Sequence, residues 1–224
     1  VGKLEQLKAE MAEFLEAEDY AGLAALARVK RPVLSALISM SYAKATLLAW
    51  RAMDAIGRLT AEMPADHVRN RVQRVLWMMR DESGTNSWAG PEILTEIVAR
   101  NPEPVKDIAP IIVTNHDELL MRAGSLRAIW RIGAKRPGLV VEFAPLAAGY
   151  LRDPDPEVRG HAALALGAVG GAEHLPALGA LASDTGAFLY YDGSALLELP
   201  VAEAARRATE AIRKRGREGA KFVH

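Results

Sequence analysis

The segment Asp153-Pro154-Asp155-Pro156-Glu157-Val158-Arg159-Gly160-His161-Ala162-Ala163-Leu164-Ala165-Leu166-Gly167-Ala168-Val169-Gly170 has degenerate copies upstream, each about one helical hairpin away. Gly170 aligns with Gly133 of Leu126–Gly133, with Val98 of Glu92–Val98 and with Gly57 of Trp50–Gly57, at spacings of 37, 35 and 41 residues. Such lengths belong to repeats built from two helices. A second register agrees: Ile108-Ala109-Pro110-Ile111 matches Phe143-Ala144-Pro145-Leu146 after 35 residues, with an echo at Leu175-Pro176-Ala177-Leu178. A two-helix unit cannot bury its own apolar face, so its copies must stack around a continuous core. The expected fold is therefore an all-α solenoid, which leaves the biochemical role open.

Helical spacing locates the elements. Leu4, Leu7, Met11, Phe14 and Leu15 recur between charged residues, so residues 3–17 read as an amphipathic opening helix. Helices are expected over 19–29 and 31–42, with Pro32 in a first turn, and over 44–61 and 66–80, with Asp66 as an N-cap. Further pairs fall at 91–101 with 103–114, 118–134 with 138–151, and 156–170 with 173–183. This makes about five pairs. Pro110 and Pro145 lie inside second helices, which should be kinked or begin with an irregular turn. Gly167 to Gly171 read as helix-end glycines. The chain as a whole, 1–224, reads as one solenoid: a cap region at 3–42, core repeats at 44–183 containing a loop at 81–90, and a hairpin with a capping helix at 184–224.

At Asp153–Leu181 the pattern Glu-Val-Arg-x-x-Ala-x-x-Ala-Leu-Gly-x-x-Gly stands almost intact, and there the chain resembles the HEAT-like repeat proteins, the group labelled phycobilisome-lyase-like HEAT repeats. The match weakens toward the N-terminus. The resemblance implies a right-handed α-α superhelix of the HEAT/armadillo type. It also implies a role for Arg122 and Arg159, which stand early in their helices after acidic loops holding Asp117 and Asp153 or Asp155. In such repeats these residues form a ladder of aspartate caps and arginine contacts between successive units. Gly133 and Gly170 mark the ends of the repeat's first helix.

Two segments break the period. Arg80 to Glu92 forms a junction of about ten residues where Thr114–Asp117 and Arg152–Asp155 use about four, and extra length in a compact array asks for a reason. Its Asp81-Glu82-Ser83-Gly84, followed by Trp88 and Pro91-Glu92, resembles a subset of bacterial and archaeal HEAT-like proteins of unassigned role. Trp88 is read either as a plug holding the loop on the stack or as a binding anchor. Asp81, Glu82, Ser83, Trp88 and Glu92 are accordingly candidate binding residues. The second segment is Gly186–Pro200, where Asp192-Gly193 lies between β-prone runs and predicts a hairpin turn with positive φ at both positions. This hairpin is read as a lid on the C-terminal end of the solenoid. Alternatively, Tyr190, Tyr191 and Asp192 offer an aromatic edge to a ligand.

Composition excludes more than it identifies. Basic and acidic residues number 28 each, so bulk charge gives no general attraction to nucleic acid or to an anionic membrane. A local stripe drawn from Arg69, Arg71, Arg74 and Arg80, with Arg127, Arg131, Lys135 and Arg136, is the basic alternative to a solvated face. The chain has no cysteine, which rules out disulfides, thiolate metal sites and cysteine nucleophiles. No apolar run is long enough to span a bilayer, and Val-Gly-Lys-Leu-Glu lacks a signal-peptide core, so cytoplasmic residence is expected. The five histidines, His67, His116, His161, His174 and His224, make no metal-binding spacing, and no His-Glu dipeptide of the kind used by HEAT-type metal hydroxylases occurs. Phosphate-loop, dinucleotide and nucleophile-elbow motifs are absent.

The expectation is a non-catalytic protein-interaction scaffold or adaptor with a concave helical surface, without cofactor or metal. Two alternatives stand beside it. One resembles the bilin lyases and would need an apolar groove holding one or two acidic or histidine residues. The other resembles the HEAT-like DNA glycosylases, whose grooves are cationic with aromatic and acidic residues, against which the neutral net charge argues.

Overall fold

A computed structural model describes residues 2–79 and 89–220. Among the described residues the chain forms twelve α-helices, several short 3-10 turns and a two-stranded antiparallel hairpin. The fold is thus all-α with a small hairpin near the C-terminus. It divides into two compact units.

The first unit comprises residues 1–106 with the hairpin tip, Tyr191–Leu196. Its helices are α1 (Lys3–Glu16), α2 (Tyr20–Val29), α3 (Val33–Met40), α4 (Leu47–Ala61), α5 (Ala65–Met79) and α6 (Gly90–Arg100). The Asp19 carboxylate accepts from the Gly22 N–H at 2.8 Å and starts α2, and the Thr46 hydroxyl accepts from the Ala49 N–H at 3.3 Å and starts α4. Asp66 lies inside the first turn of α5 rather than at its N-cap, where it still complements the helix dipole. Helix α4 packs on α6 and α3, and Met11, Leu15, Leu37, Met53, Ile56 and Ile97 lie in the core. Every residue of α6 from Gly90 to Ala99 is buried. Helix α5 differs, burying only the stripe Val68, Val72 and Val75.

The second unit comprises residues 107–190 and 197–224. It holds α7 (Ile108–Val113), α8 (Arg122–Gly133), α9 (Ala144–Gly149), α10 (Pro156–Val169), α11 (Leu175–Gly179), β1 (Ala187–Tyr191), β2 (Leu196–Pro200) and α12 (Val201–Ala220). Helix α10 lies between α8 and α12, and a narrow stripe would not suffice for it, so ten of its residues from Val158 to Val169 are buried. Gly167 is therefore a packing residue inside α10, not a helix end: a Cβ there would stand 2.9 Å from the Ala208 Cα of α12.

The second helices of the later pairs are much shorter than their apolar runs suggest. In place of continuous helices over 103–114, 138–151 and 173–183 stand α7 and two short helices flanked by 3-10 turns. Pro145 and Pro176 occupy the second position of α9 and α11, where a missing N–H costs nothing and φ is already helical. The residues before them wind as 3-10 turns at Val141–Phe143 and Ala172–His174.

The hairpin has a four-residue loop rather than a two-residue turn. Asp192 takes the N–H groups of Ser194 and Ala195 on its carboxylate, both at 2.8 Å. Positive φ is therefore needed only at Gly193 (φ 111°), since the aspartate side chain does the folding that the second left-handed residue would otherwise do.

Candidate functional site

The second unit contains a groove of about 440 Å³ built from α8, α10, α12 and β1. Trp130 from α8 and Tyr190 from β1 form its aromatic wall, with ring centroids 5.4 Å apart and planes tilted by 36°. Both rings are half-buried. Leu164, Gly167 and Ala168 of α10 line its base, and Arg207, Ala208, Ala211 and Arg215 of α12 form the opposite side. Residues 207, 211 and 215 follow one another at four-residue steps, so one stripe of α12 faces the groove.

The two arginines are held differently. The Arg207 guanidinium sits 5.6 Å from the centre of the Tyr190 ring, within cation–π range, and its Nε donates to Glu203 at 2.8 Å. Hydrogen bonds from Arg206 and Arg207 pull the Glu203 carboxyl down to about 2. Arg215 donates to the Gly167 carbonyl and, at 2.8 Å, to the Gly170 carbonyl, capping the C-terminal end of α10. Its partners are carbonyl oxygens, and burial lowers its pKa. Neither a carboxylate nor an imidazole lines the groove. The groove offers aromatic faces and positive charge.

The sequence candidates fall in several places. Asp81, Glu82, Ser83 and Trp88 lie outside the described residues. Glu92 is buried, 1% exposed, and pairs with Lys44 at 2.9 Å. Of the hairpin candidates, only Tyr190 lines the groove. Tyr191 is buried in the first unit, stacked on Trp50 with centroids 5.9 Å apart, and donates to the Gly193 carbonyl at 3.0 Å. Burial, followed by the neighbouring Tyr20 and Asp54, drives its pKa well above the phenol range, so it stays neutral. It therefore presents no free aromatic edge, and the Asp192 carboxylate is spent on its own turn.

Around that tip the first unit is densely tied. Arg51 donates to the carbonyls of Leu15, at 3.1 Å, and Glu16, at 2.9 Å, to Glu18 at 2.6 Å and to the Ser194 carbonyl at 3.2 Å. Asp54, only 2% exposed, takes Arg58 at 2.9 Å and also Arg100, and the Arg58 guanidinium lies 4.1 Å from the centre of the Tyr20 ring.

Arg122 and Arg159 have matching surroundings. Arg122 donates to the carbonyls of His116 (3.1 Å) and Asp117 (3.4 Å) and to the Asp153 carboxylate (3.2 Å). Arg159 donates to the carbonyls of Asp153 (2.8 Å) and Pro154 (2.9 Å) and holds Asp184 by two bonds of 2.7 and 2.9 Å. Asp155 caps α10 by accepting from the Glu157 N–H at 2.8 Å. A Cβ on Gly133 would come within 2.6 Å of Val169, and Gly170 ends α10 in extended conformation. Of the residues expected in a basic stripe, Arg127 is 2% exposed, Arg69 donates to the Pro104 carbonyl at 2.7 Å, and Arg80 lies outside the described residues.

Sequence reasoning singled out Tyr190 but not Trp130, Arg207 or Arg215, which meet only through folding. The legible signal was the Arg207–Ala211–Arg215 stripe, small residues framed by two cations at helical spacing. Among the described residues no helix is long and apolar enough to cross a membrane, and no group of three or more acidic or histidine side chains is placed to hold a metal.

Comparison with known proteins agrees with this architecture. Residues 91–189 match HEAT repeats. No curated protein sequence matches the chain. Among solved structures, the crystal structure of an engineered protein, a structural-genomics target, is 18% identical, with 96% of this chain and 98% of that one covered at a TM-score of 0.53. At that identity the likeness is one of fold.

Proposed function

We propose that this chain, whose residues 91–189 match HEAT repeats, acts as a non-catalytic scaffold or adaptor that binds a partner protein in the groove of its second unit. The observation that carries this reading is the pairing of the Trp130–Tyr190 wall with Arg207 and Arg215 in a groove lined by no acidic side chain. Aromatic and arginine side chains concentrate binding energy at protein interfaces. Small residues opposite them leave room for a side chain of the partner. The ligand that matches is an extended segment carrying a large apolar or aromatic residue next to a carboxylate. The carboxylate would complement Arg215, whose protein partners are two carbonyl oxygens.

Selection of peptides from a random display library against the whole chain tests this. Enriched sequences should place an acidic residue within two positions of an aromatic or large aliphatic one. Trp130→Ala and Arg207→Glu should each weaken the selected peptide by tenfold or more in a fluorescence titration. Enrichment without that pattern, or binding indifferent to both substitutions, would contradict the proposal. Salt-sensitive binding of duplex DNA that both substitutions abolish would favour a nucleic-acid partner instead.

A further inference from the structure

A second cavity, of about 250 Å³, lies within the first unit between α3 and α5, far in sequence from the groove and built on different chemistry. Helix α3 and the residues just after it line it with Ser35, Ile38, Ser39 and Tyr42, spaced as one helical face. Helix α5 answers with Arg71, Arg74 and Met78, spaced in the same way. Three hydroxyls and two guanidinium groups thus border one small space, with Ile38 and Met78 as its apolar part.

The charges in this space are unbalanced. Arg71 and Arg74 stand three residues apart, where like charges on a helix repel. Four other arginines of this unit are matched to acids: Arg28 with Glu62, Arg51 with Glu18, and Arg58 and Arg100 with Asp54. Among the described residues no carboxylate pairs with Arg71 or Arg74, and no acidic side chain lines the cavity. Arg71 is half-buried, so its positive charge is only partly solvated. Tyr42 is 37% exposed, and its hydroxyl, protonated at neutral pH, is free to donate into the space.

We propose that this cavity is a binding site for a small phosphate monoester, with the phosphoryl group held by Arg71, Arg74 and the hydroxyls, and the ester's body packed on Ile38, Tyr42 and Met78. A carboxylate offers two oxygens to these five donor side chains, whereas a phosphoryl group offers three and suits paired guanidinium groups. The volume lies just under the range of about 300–1,000 Å³ for drug-sized ligands, so the body is no larger than a single ring. This site stands independently of the groove in the second unit.

Calorimetric titration of the full chain with phenyl phosphate is the test, with inorganic phosphate and benzoate alongside. One saturable site per chain is expected, with phenyl phosphate at least tenfold tighter than either comparison compound. Arg71→Gln and Arg74→Gln should each weaken it by tenfold or more while leaving the circular-dichroism spectrum unchanged. Ser39→Ala and Tyr42→Phe, which remove one hydroxyl each with little change of shape, should weaken it severalfold and provide a second route if an arginine variant fails to fold. No saturable binding at millimolar phenyl phosphate would overturn the proposal. So would equal affinity for benzoate or inorganic phosphate, or binding indifferent to the folded variants.

Discussion

Arg122 and Arg159, 37 residues apart, perform the same local task. Each donates to the carbonyls six and five residues before it and then reaches an aspartate further along the chain. A guanidinium has five donors in a planar fork, so one side chain satisfies an irregular loop and an acid together, as a lysine could not. For Asp184 the consequence is measurable. The bidentate bond from Arg159 holds its carboxyl below the usual range, against the opposing effect of burial. A carboxylate lowered on folding stabilises the protein fully above the unfolded value, about 3.9, and that contribution disappears as pH falls through the lower folded value. Asp184→Asn should therefore cost about 2 kcal/mol at neutral pH, lowering Tm by about 5 °C. The gap from wild type should narrow below about pH 4. Thermal melts across pH 2 to 7 would show it, and a gap independent of pH would contradict the role given to this pair.

At the scale of elements, the hairpin divides its labour. Its stem carries Tyr190 to the groove of the second unit, while its tip belongs to the first, where Tyr191 stacks on Trp50 and Arg51 holds the Ser194 carbonyl. Adjacent residues of a strand point to opposite faces, and of this pair Tyr190 is half-buried while Tyr191 is buried. Tyr191→Ala should destabilise the protein by about 3 kcal/mol through the lost aromatic and the cavity left behind. Tyr190→Ala should cost much less stability and should weaken the groove's peptide. Denaturant melts of both variants check the first statement, and equal losses would contradict the assignment.

Element type was readable where a single pattern dominated. α1, α4, α10 and the hairpin all stand close to their expected bounds because apolar periodicity, a cap or an Asp-Gly pair marked them. The second helices of the later pairs were not readable to the same degree. Their apolar runs reflect burial by neighbouring elements, which a 3-10 turn satisfies as well as an α-helix does, so hydrophobicity alone could not give their length. The loop of the hairpin departs from the Asp-Gly rule for a related reason: Asp192 acts through its side chain, and the backbone rule for a two-residue turn does not apply.

At the scale of the whole molecule, scaffold and candidate groove overlap: Trp130 of α8 and Leu164, Gly167 and Ala168 of α10 are residues of repeat helices that also line the groove. The best-preserved repeat, Asp153–Gly170, is occupied by caps, the Arg159–Asp184 pair and the close packing of Gly167 on Ala208. Most of the candidate groove was invisible in the sequence because Trp130, Tyr190, Arg207 and Arg215 come from three elements and are separated by up to 85 residues. Only their neighbours in space define the site. The most direct measurement of the central claim is a crystal structure of the chain with its tightest display-selected peptide. The account predicts the peptide's apolar side chain against Trp130 and Tyr190, with its carboxylate within hydrogen-bonding distance of Arg207 or Arg215. A peptide seated elsewhere on the protein, or one making neither contact, would contradict it.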